Sequence, residues 1–221
     1  MRHELKYIIN KSDYFVLRSR LSAIFKKDRH ASAHGDYRVR SLYFDDPYDS
    51  ALLDKINGVD YREKFRIRVY NEDYSFIRLE KKIKKGCIGT KISTRLTRQQ
   101  ADSILQDDTD WMKSTKDDLI VELYSKMQGN LLRPKTIVEY TREPFVFAPG
   151  NVRITLDCEI KTGGCSTDFF EKQPLLHTNE AFAIVEVKYD RYLPEIVSMA
   201  SRMTGRMTTA FSKYAVSRKF D

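Results

Sequence analysis

The chain has 221 residues, of which 41% are hydrophobic and 32% charged, and this length and apolar content suit one globular domain. Its formal net charge of +8 favours an anionic partner, such as nucleic acid, an acidic membrane surface or a phosphorylated molecule. No stretch approaches the ~18 to 20 apolar residues of a membrane span, and the amino terminus lacks a secretory hydrophobic region. We therefore expect a cytoplasmic chain without a membrane segment. Cys87, Cys158 and Cys165 form no CxxC pair, so we expect reduced thiols rather than a zinc site.

The first part of the chain predicts two strands and two helices. Residues 3–10 alternate as in a strand, and Ser12 is the expected N-cap of an amphipathic helix that follows. Residues 37–46 are rich in β-forming residues. The sequence DDPYD then indicates a turn that opens a short helix.

The middle of the chain predicts a β-meander followed by two helices. Residues 61–70, 75–83 and 87–96 read as three successive strands joined by tight links. Thr97 and Gln100 fit a capping box at the start of a helix, and residues 117–130 carry a second helical pattern.

The last part returns to strands, at residues 135–147, 152–160 and 182–190, with a helix after Leu193 and Pro194. The tail at 209–220 fits a strand or a helix, and periodicity does not decide between them. Roughly eight strands with few βαβ units predict an α+β fold with a mainly antiparallel sheet. Closure of that sheet into a barrel would remove its edges.

Charged residues alternate with apolar ones on strand after strand. In residues 61–70 a period of two puts four cations on one face and the apolar residues on the other. For one strand alone, a solvated basic face is the better interpretation. Because the pattern recurs, we favour a charged lining. The four cations are Arg62, Lys64, Arg66 and Arg68, and the pattern recurs at Arg78, Glu80 and Lys82, at Arg153, Thr155 and Asp157, at Glu186 and Lys188, and at Glu4 and Lys6.

Converging cations indicate a ligand with several negative charges. Arginine makes bidentate contacts to phosphate oxygens and lysine is a mobile point charge, so the mixture suits successive phosphoryl groups. Glu186, beside Lys188, is a candidate ligand for Mg²⁺ or Mn²⁺, and an ion pair with a neighbouring arginine explains it equally well. The chain has no G-x-S-x-G motif, no Cys/His pair and no P-loop.

Nucleic acid is not the expected partner. Single-strand binding proteins stack bases on exposed aromatic side chains that are interleaved with basic ones. Tyr43, Phe65 and Tyr189 alternate with charge, and we assign them to the apolar side of their strands, where core packing explains them.

Eight segments carry a family resemblance, in the order ELKY, RSLYFDD, YREKFRIRVY, LEKK with TKISTRLT, VEYTRE, VRITLD, VEVKYD and FSKY. Together they resemble the triphosphate tunnel metalloenzymes of the CYTH-like superfamily. The similarity is specific to the polyphosphate polymerase domain of the vacuolar transporter chaperone (VTC) complex and its bacterial relatives. It covers nearly the whole chain and implies a single tunnel domain over residues 1–221.

The resemblance implies an α+β fold with an eight-stranded antiparallel β tunnel barrel, lined with basic residues and with helices packed outside. It implies transfer of the γ-phosphoryl group of ATP to a growing polyphosphate with Mn²⁺ or Mg²⁺. The implied catalytic residues are Arg66, Arg68, Lys82 and Lys188, the substrate-binding residues are Lys6, Arg40, Lys64, Lys91, Arg142, Arg153 and Lys213, and the metal ligand is Glu186.

One departure separates this chain from much of the superfamily. The first strand there carries ExExK, whereas this chain has ELKY, so one acid is retained as Glu4 and Lys6 adds a cation. This departure weakens a cyclase or thiamine triphosphatase interpretation. A tunnel triphosphatase acting on inorganic or organic triphosphate, and a non-catalytic binder of polyphosphate or another polyanion, stay open as alternatives. The sequence does not predict the oligomeric state.

Overall fold

The computed structural model describes residues 3–86 and 88–220, so the prediction of a reduced Cys87 lies outside the described residues. Cys158 and Cys165 are free thiols. The chain divides into two compact units. The first unit comprises residues 1–38, 140–161 and 177–213, and the second comprises 39–139, 162–176 and 214–221. Whether the whole chain acts as one domain stays a prediction.

The described residues form ten strands, two of which are only two residues long. The predicted α+β class is confirmed, and the six long strands of the middle and last parts match the predicted ones to within two residues at each end. The strands are β1 (His3–Ile9), β2 (Lys26–Lys27), β3 (Tyr37–Asp45), β4 (Tyr61–Tyr70), β5 (Ile77–Lys85), β6 (Ile88–Leu96), β7 (Arg133–Phe147), β8 (Val152–Thr162), β9 (Leu176–His177) and β10 (Ala183–Tyr189).

The α-helices are α1 (Lys11–Ile24), α2 (Ser50–Ile56), α3 (Arg98–Leu105), α4 (Asp118–Gly129), α5 (Glu195–Ser201) and α6 (Lys213–Ser217). The capping box of Thr97 and Gln100 is confirmed at the start of α3. The N-cap predicted at Ser12 is wrong, because the side chain of Asn10 accepts the hydrogen bond from Asp13 N, 2.8 Å away. The undecided tail is helical from Lys213. In the described part of the chain, no helix is both long and apolar enough to cross a membrane.

The main strands are hydrogen-bonded in the order β1-β10-β8-β7-β3-β4-β5-β6. The closed barrel expected from the sequence is not formed, because β1 and β6 are the two ends of this order within the described residues. At the edge of β1, the backbone carbonyl of Lys6 accepts a hydrogen bond from Thr209 N, 2.9 Å away, so an irregular segment covers this edge. Strand β6 ends the order with mostly exposed or half-exposed side chains that include Lys91 and Arg95, as is common for edge strands.

Each unit has its own apolar core on one face of its strands. In the first unit, Leu17 and Leu21 of α1 pack with Leu156 and Val185 of the sheet. In the second, α3 and α4 cover the strand face that carries Phe65, Ile67 and Val69. Because alternate residues of a strand point to opposite faces, these cores leave the four cations of β4 on the other face.

Loss of the α4 cap should destabilise the protein measurably. Asp117 accepts hydrogen bonds from Leu119 N at 3.0 Å and Ile120 N at 3.2 Å. We expect Asp117→Ala to reduce the free energy of unfolding by about 1 kcal/mol in urea denaturation, the usual effect of losing an N-cap side chain. Lys116→Ala, at the exposed neighbouring position, is the matched control. Equal unfolding midpoints for the two variants would contradict the assigned cap.

Candidate phosphate-binding site

Three strands of the second unit bring like charges directly opposite one another. Lys64 on β4 is opposite Lys82 on β5, and Lys82 is in turn opposite Lys91 on β6. Four residues further along β4, Arg68 is opposite Arg78 on β5. Like charges at directly opposed positions destabilise an antiparallel pair. This face of the sheet therefore carries an electrostatic cost that a bound polyanion would relieve.

Glu80 is the carboxylate at the centre of this face. It is fully buried, and its Oε2 lies 2.6 Å from Arg66 Nη2 and 3.6 Å from Arg68 Nη1. Its Oε1 lies 2.7 Å from Lys91 Nζ. Burial by itself would raise the pKa of Glu80, but Arg66, Arg68 and Lys91 outweigh it and hold the pKa below its ordinary range. We call Arg66, Arg68, Glu80 and Lys91 the Glu80 cluster.

In the first unit, Glu186 is likewise a carboxylate surrounded by cations. Its carboxylate oxygens lie 3.0 Å from Lys188 Nζ, 3.4 Å from Lys213 Nζ, and 3.6 Å from both Lys6 Nζ and Arg142 Nη2. Burial opposes ionisation, but Lys188, Lys213, Lys6 and Arg142 hold the pKa of Glu186 well below its ordinary value. Glu186 is therefore an ionised carboxylate enclosed by cations.

Asp157 and Glu4 complete this group of charges. Arg142 binds Asp157 through two hydrogen bonds of 2.6 and 2.7 Å, and Lys213 adds a third of 2.6 Å. Glu4 lies 3.2 Å from Lys6 and 4.0 Å from Lys188. Burial would lower the pKa of Lys213, but Asp157 and Glu186 raise it above its ordinary value. We call Glu4, Lys6, Arg142, Asp157, Glu186, Lys188 and Lys213 the Glu186 cluster.

Two arginines predicted to bind substrate make their contacts outside these clusters. Arg40 is opposite Val69, on the core side of the sheet, where its Nε is buried 2.8 Å from Glu139 Oε2. Arg153 Nη2 donates to the Tyr37 hydroxyl at 2.7 Å and pairs with Asp28 at 3.0 Å. The buried ion pair with Glu139 does not support a phosphate-binding role for Arg40. The Arg153 side chain is partly exposed, so a ligand can still reach it.

The assignment of Tyr43 to the apolar side is wrong. Tyr43 is opposite Arg66, and its hydroxyl accepts a hydrogen bond from Arg66 Nη1 at 3.0 Å. Tyr43 therefore positions the guanidinium of a predicted catalytic residue. The sequence analysis also gave no role to Glu80 or Asp157, although both alternate with apolar residues in the same way as the cations that they bind.

A family model described as the VTC domain matches residues 1–220. The chain belongs to the VTC domain family. This membership supports a polyphosphate-related function of the tunnel fold. No curated protein matches the chain.

Two solved structures are similar to this VTC domain, and the one with a TM-score above 0.5 supports its fold. A candidate adenylate cyclase from Bacillus halodurans is 12% identical, with a TM-score of 0.51, over 90% of this chain and 85% of that one. The PH1819 protein of Pyrococcus horikoshii OT3 is 15% identical, with a TM-score of 0.45, over 90% of this chain and 84% of that one. At such identities, similarity concerns the fold alone.

The tunnel fold generally uses a divalent metal, which carboxylate oxygens of this VTC domain would have to bind. Across residues 3–86 and 88–220, no group of three or more His, Cys, Asp or Glu side chains is arranged to hold a metal ion. Glu186 and Glu4 share the neighbours Lys6 and Lys188. They fit a site to which the protein supplies one or two carboxylates and a substrate supplies phosphate oxygens, as Mg²⁺ sites often do.

Removing the negative charge of Glu80 should destabilise the protein, and a bound polyanion should restore part of the lost stability. Loss of one partner from a buried ion pair costs about 3 to 5 kcal/mol, so Glu80→Gln should lower the melting temperature. We expect tripolyphosphate to raise the melting temperature of this variant by more than that of the wild type, because it replaces the missing negative charge.

Glu63→Gln is the matched control for this measurement. Glu63 pairs with Lys81 at 2.7 Å and Lys126 at 2.5 Å, among the residues that attach α4. This variant should also be destabilised, without an enhanced response to tripolyphosphate. An equal response of the two variants would show that the Glu80 cluster does not bind phosphate.

Acid should weaken the fold through these carboxylates. The pKa values of Glu80, Asp157 and Glu186 are lower in the folded chain than their ordinary values, so their stabilisation is complete above those ordinary values and is lost as pH falls. We expect the free energy of unfolding in urea to fall between about pH 5 and pH 3, and to fall less steeply in Glu80→Gln. Parallel pH profiles would contradict the low pKa of Glu80.

Proposed function

We propose that this VTC domain is an ATP-dependent polyphosphate polymerase, which transfers the γ-phosphoryl group of ATP to the end of a growing polyphosphate chain. The observation that best supports the proposal is the row of Lys64, Lys82 and Lys91, which lie directly opposite one another on adjacent strands. Such a row is unfavourable by itself and becomes favourable beside a ligand with successive negative charges.

The proposed roles follow from the chemistry of each side chain. Arg66 and Arg68 have planar guanidinium groups suited to two oxygens of one phosphoryl group, while Lys82 in the second unit and Lys188 in the first are point charges suited to phosphate oxygens. These four are the proposed catalytic residues. The proposed substrate contacts are Lys6, Lys64, Lys91, Arg142, Arg153 and Lys213, and Arg40 is left out because its guanidinium is in a buried ion pair with Glu139.

Catalysis would depend on positioning and charge stabilisation, without a covalent enzyme intermediate. A buried carboxylate beside each set of cations fixes their side chains before the substrate arrives. Glu186, with Glu4, would hold Mn²⁺ or Mg²⁺ together with phosphate oxygens, and the ion would neutralise charge on the transferring phosphoryl group. ATP and polyphosphate are thus the proposed partners. Cytoplasmic localisation and the absence of nucleic-acid binding stay predictions.

Polymer formation separates this proposal from its alternatives. Purified protein incubated with ATP and Mn²⁺ should produce long phosphate polymer and ADP. Arg66→Ala should reduce the rate by about 30- to 1000-fold, equivalent to about 2 to 4 kcal/mol of transition-state stabilisation, because a guanidinium that contacts the developing charge is removed.

Arg98→Ala is the matched control for the arginine substitution. Arg98 lies on α3 in a partly exposed pair with Asp102 at 2.9 Å, so its loss should leave the rate nearly unchanged. Release of free phosphate without polymer would instead identify a tunnel triphosphatase. Tight polyphosphate binding with neither product would identify a non-catalytic binder.

A further inference from the structure

Lys64 differs from Lys91 and Lys135 of the second unit in how its ammonium group is held. Its Nζ is buried and makes no hydrogen bond within the described residues. Instead it lies 4.5 Å from the centre of the Tyr214 ring. By contrast, Lys91 pairs with Glu80 at 2.7 Å and Lys135 pairs with Asp49 at 3.1 Å. The face of an aromatic ring stabilises a cation much less than a carboxylate does.

The groups that face Lys64 do not supply the missing charge. They are Tyr43 and Asp45 on β3, Lys55 on α2, Arg62 on β4, Lys82 on β5 and Tyr214 on α6. Three of them are cations and one is a carboxylate.

The single carboxylate, Asp45, has its hydrogen-bonding capacity engaged elsewhere. Its Oδ1 accepts from Asp46 N at 3.0 Å and Ala51 N at 2.9 Å, and its Oδ2 accepts from Leu52 N at 3.1 Å and from the Tyr214 hydroxyl. Asp45 thus holds the start of α2 and the Tyr214 ring in place. Among the residues that the structure describes, the ammonium group of Lys64 therefore has no hydrogen bond to an anionic partner.

The proton on Lys64 is consequently held weakly. Burial lowers the pKa of Lys64, Lys55 and Arg62 lower it further, and the attraction of Tyr43 and Asp45 is too small to compensate, so the pKa is about 8. A phosphoryl group next to Nζ would reverse this balance, because it supplies the negative charge that the surroundings lack.

We propose that Lys64 couples phosphate binding to proton uptake, so that the second unit binds polyphosphate more tightly at neutral than at alkaline pH. The inference rests on the proposed function, since it needs a polyanion at this face. The affinity of the site for polyphosphate would then depend on pH. This dependence comes from the Lys64 amine and not from the arginines, which stay protonated.

The size of the effect follows from the two protonation states. If phosphate restores the ordinary value of 10.5, about half of the free molecules take up a proton on binding at pH 8. Between pH 7 and pH 9 the affinity should fall about tenfold, because the neutral amine must first be protonated. Below about pH 7 the amine is charged in both states and the dependence disappears.

The test is calorimetric titration of the full chain with tripolyphosphate at pH 8, in two buffers of different ionisation enthalpy. Lys64→Arg keeps the charge at every pH, so the protons that the ligand itself gains or loses cancel in the difference between wild type and this variant. We expect the wild type to take up about half a proton more than Lys64→Arg. Lys135→Arg, at a lysine that is paired with Asp49, should behave as the wild type does.

The outcomes separate this inference from the proposed function. Binding with equal proton uptake in wild type and Lys64→Arg overturns the coupling and leaves the phosphate site intact. Failure of tripolyphosphate to bind at pH 7 overturns the proposed function and the coupling together. A carbon-13 NMR titration of the lysine side chains adds a direct measurement, in which a Lys64 midpoint near its ordinary value of 10.5 in the free protein also overturns the coupling.

Discussion

Attraction between a few buried carboxylates and a larger number of cations is the interaction on which the charged faces depend. Glu80 of β5 is fully buried, and the cations around it lie on the neighbouring strands β4 and β6. Elsewhere along these three strands, cations lie directly opposite cations. Moving these charges out of water is costly, and the cost is offset only where the geometry is good and every oxygen is used. Glu80 and Asp157 meet this condition with contacts of 2.6 to 2.7 Å.

The same carboxylates also hold the side chains of the cations in place before a ligand binds. Each acid neutralises only part of the charge around it, so an excess of positive charge is retained at a fixed place. The side chains are already ordered, and a polyanion would then bind without the entropic cost of gathering several flexible lysines and arginines. Lys64 is the exception, since an aromatic ring rather than an acid holds it.

Much of this arrangement could be predicted from the sequence because a period of two is unambiguous when one face is apolar. In β4 it placed Lys64, Arg66 and Arg68 correctly on the face opposite Phe65 and Ile67. The helix α3 was predictable because Thr97 and Gln100 satisfy backbone donors locally. Both inferences need only neighbours in sequence.

The failures lie where structure depends on partners distant in sequence. Strand β3 is buried at nearly every position, so its alternation does not distinguish the core face from the charged face. Tyr43 was therefore assigned to the wrong face, and only its pairing with Arg66 fixes its side. The sequence also did not predict that the sheet stays open. The segment that contacts the edge of β1 lies about two hundred residues further along the chain.

The segment that contacts the edge of β1 also positions a charged residue of the Glu186 cluster. Thr209 N and the Phe211 carbonyl, which accepts from Lys6 Nζ at 3.0 Å, both attach it to β1, and Lys213 follows only two residues later. A sheet edge with a carbonyl that is already engaged offers one site fewer for pairing with a second strand. The same short stretch without regular structure also delivers the lysine that joins Asp157 to Glu186.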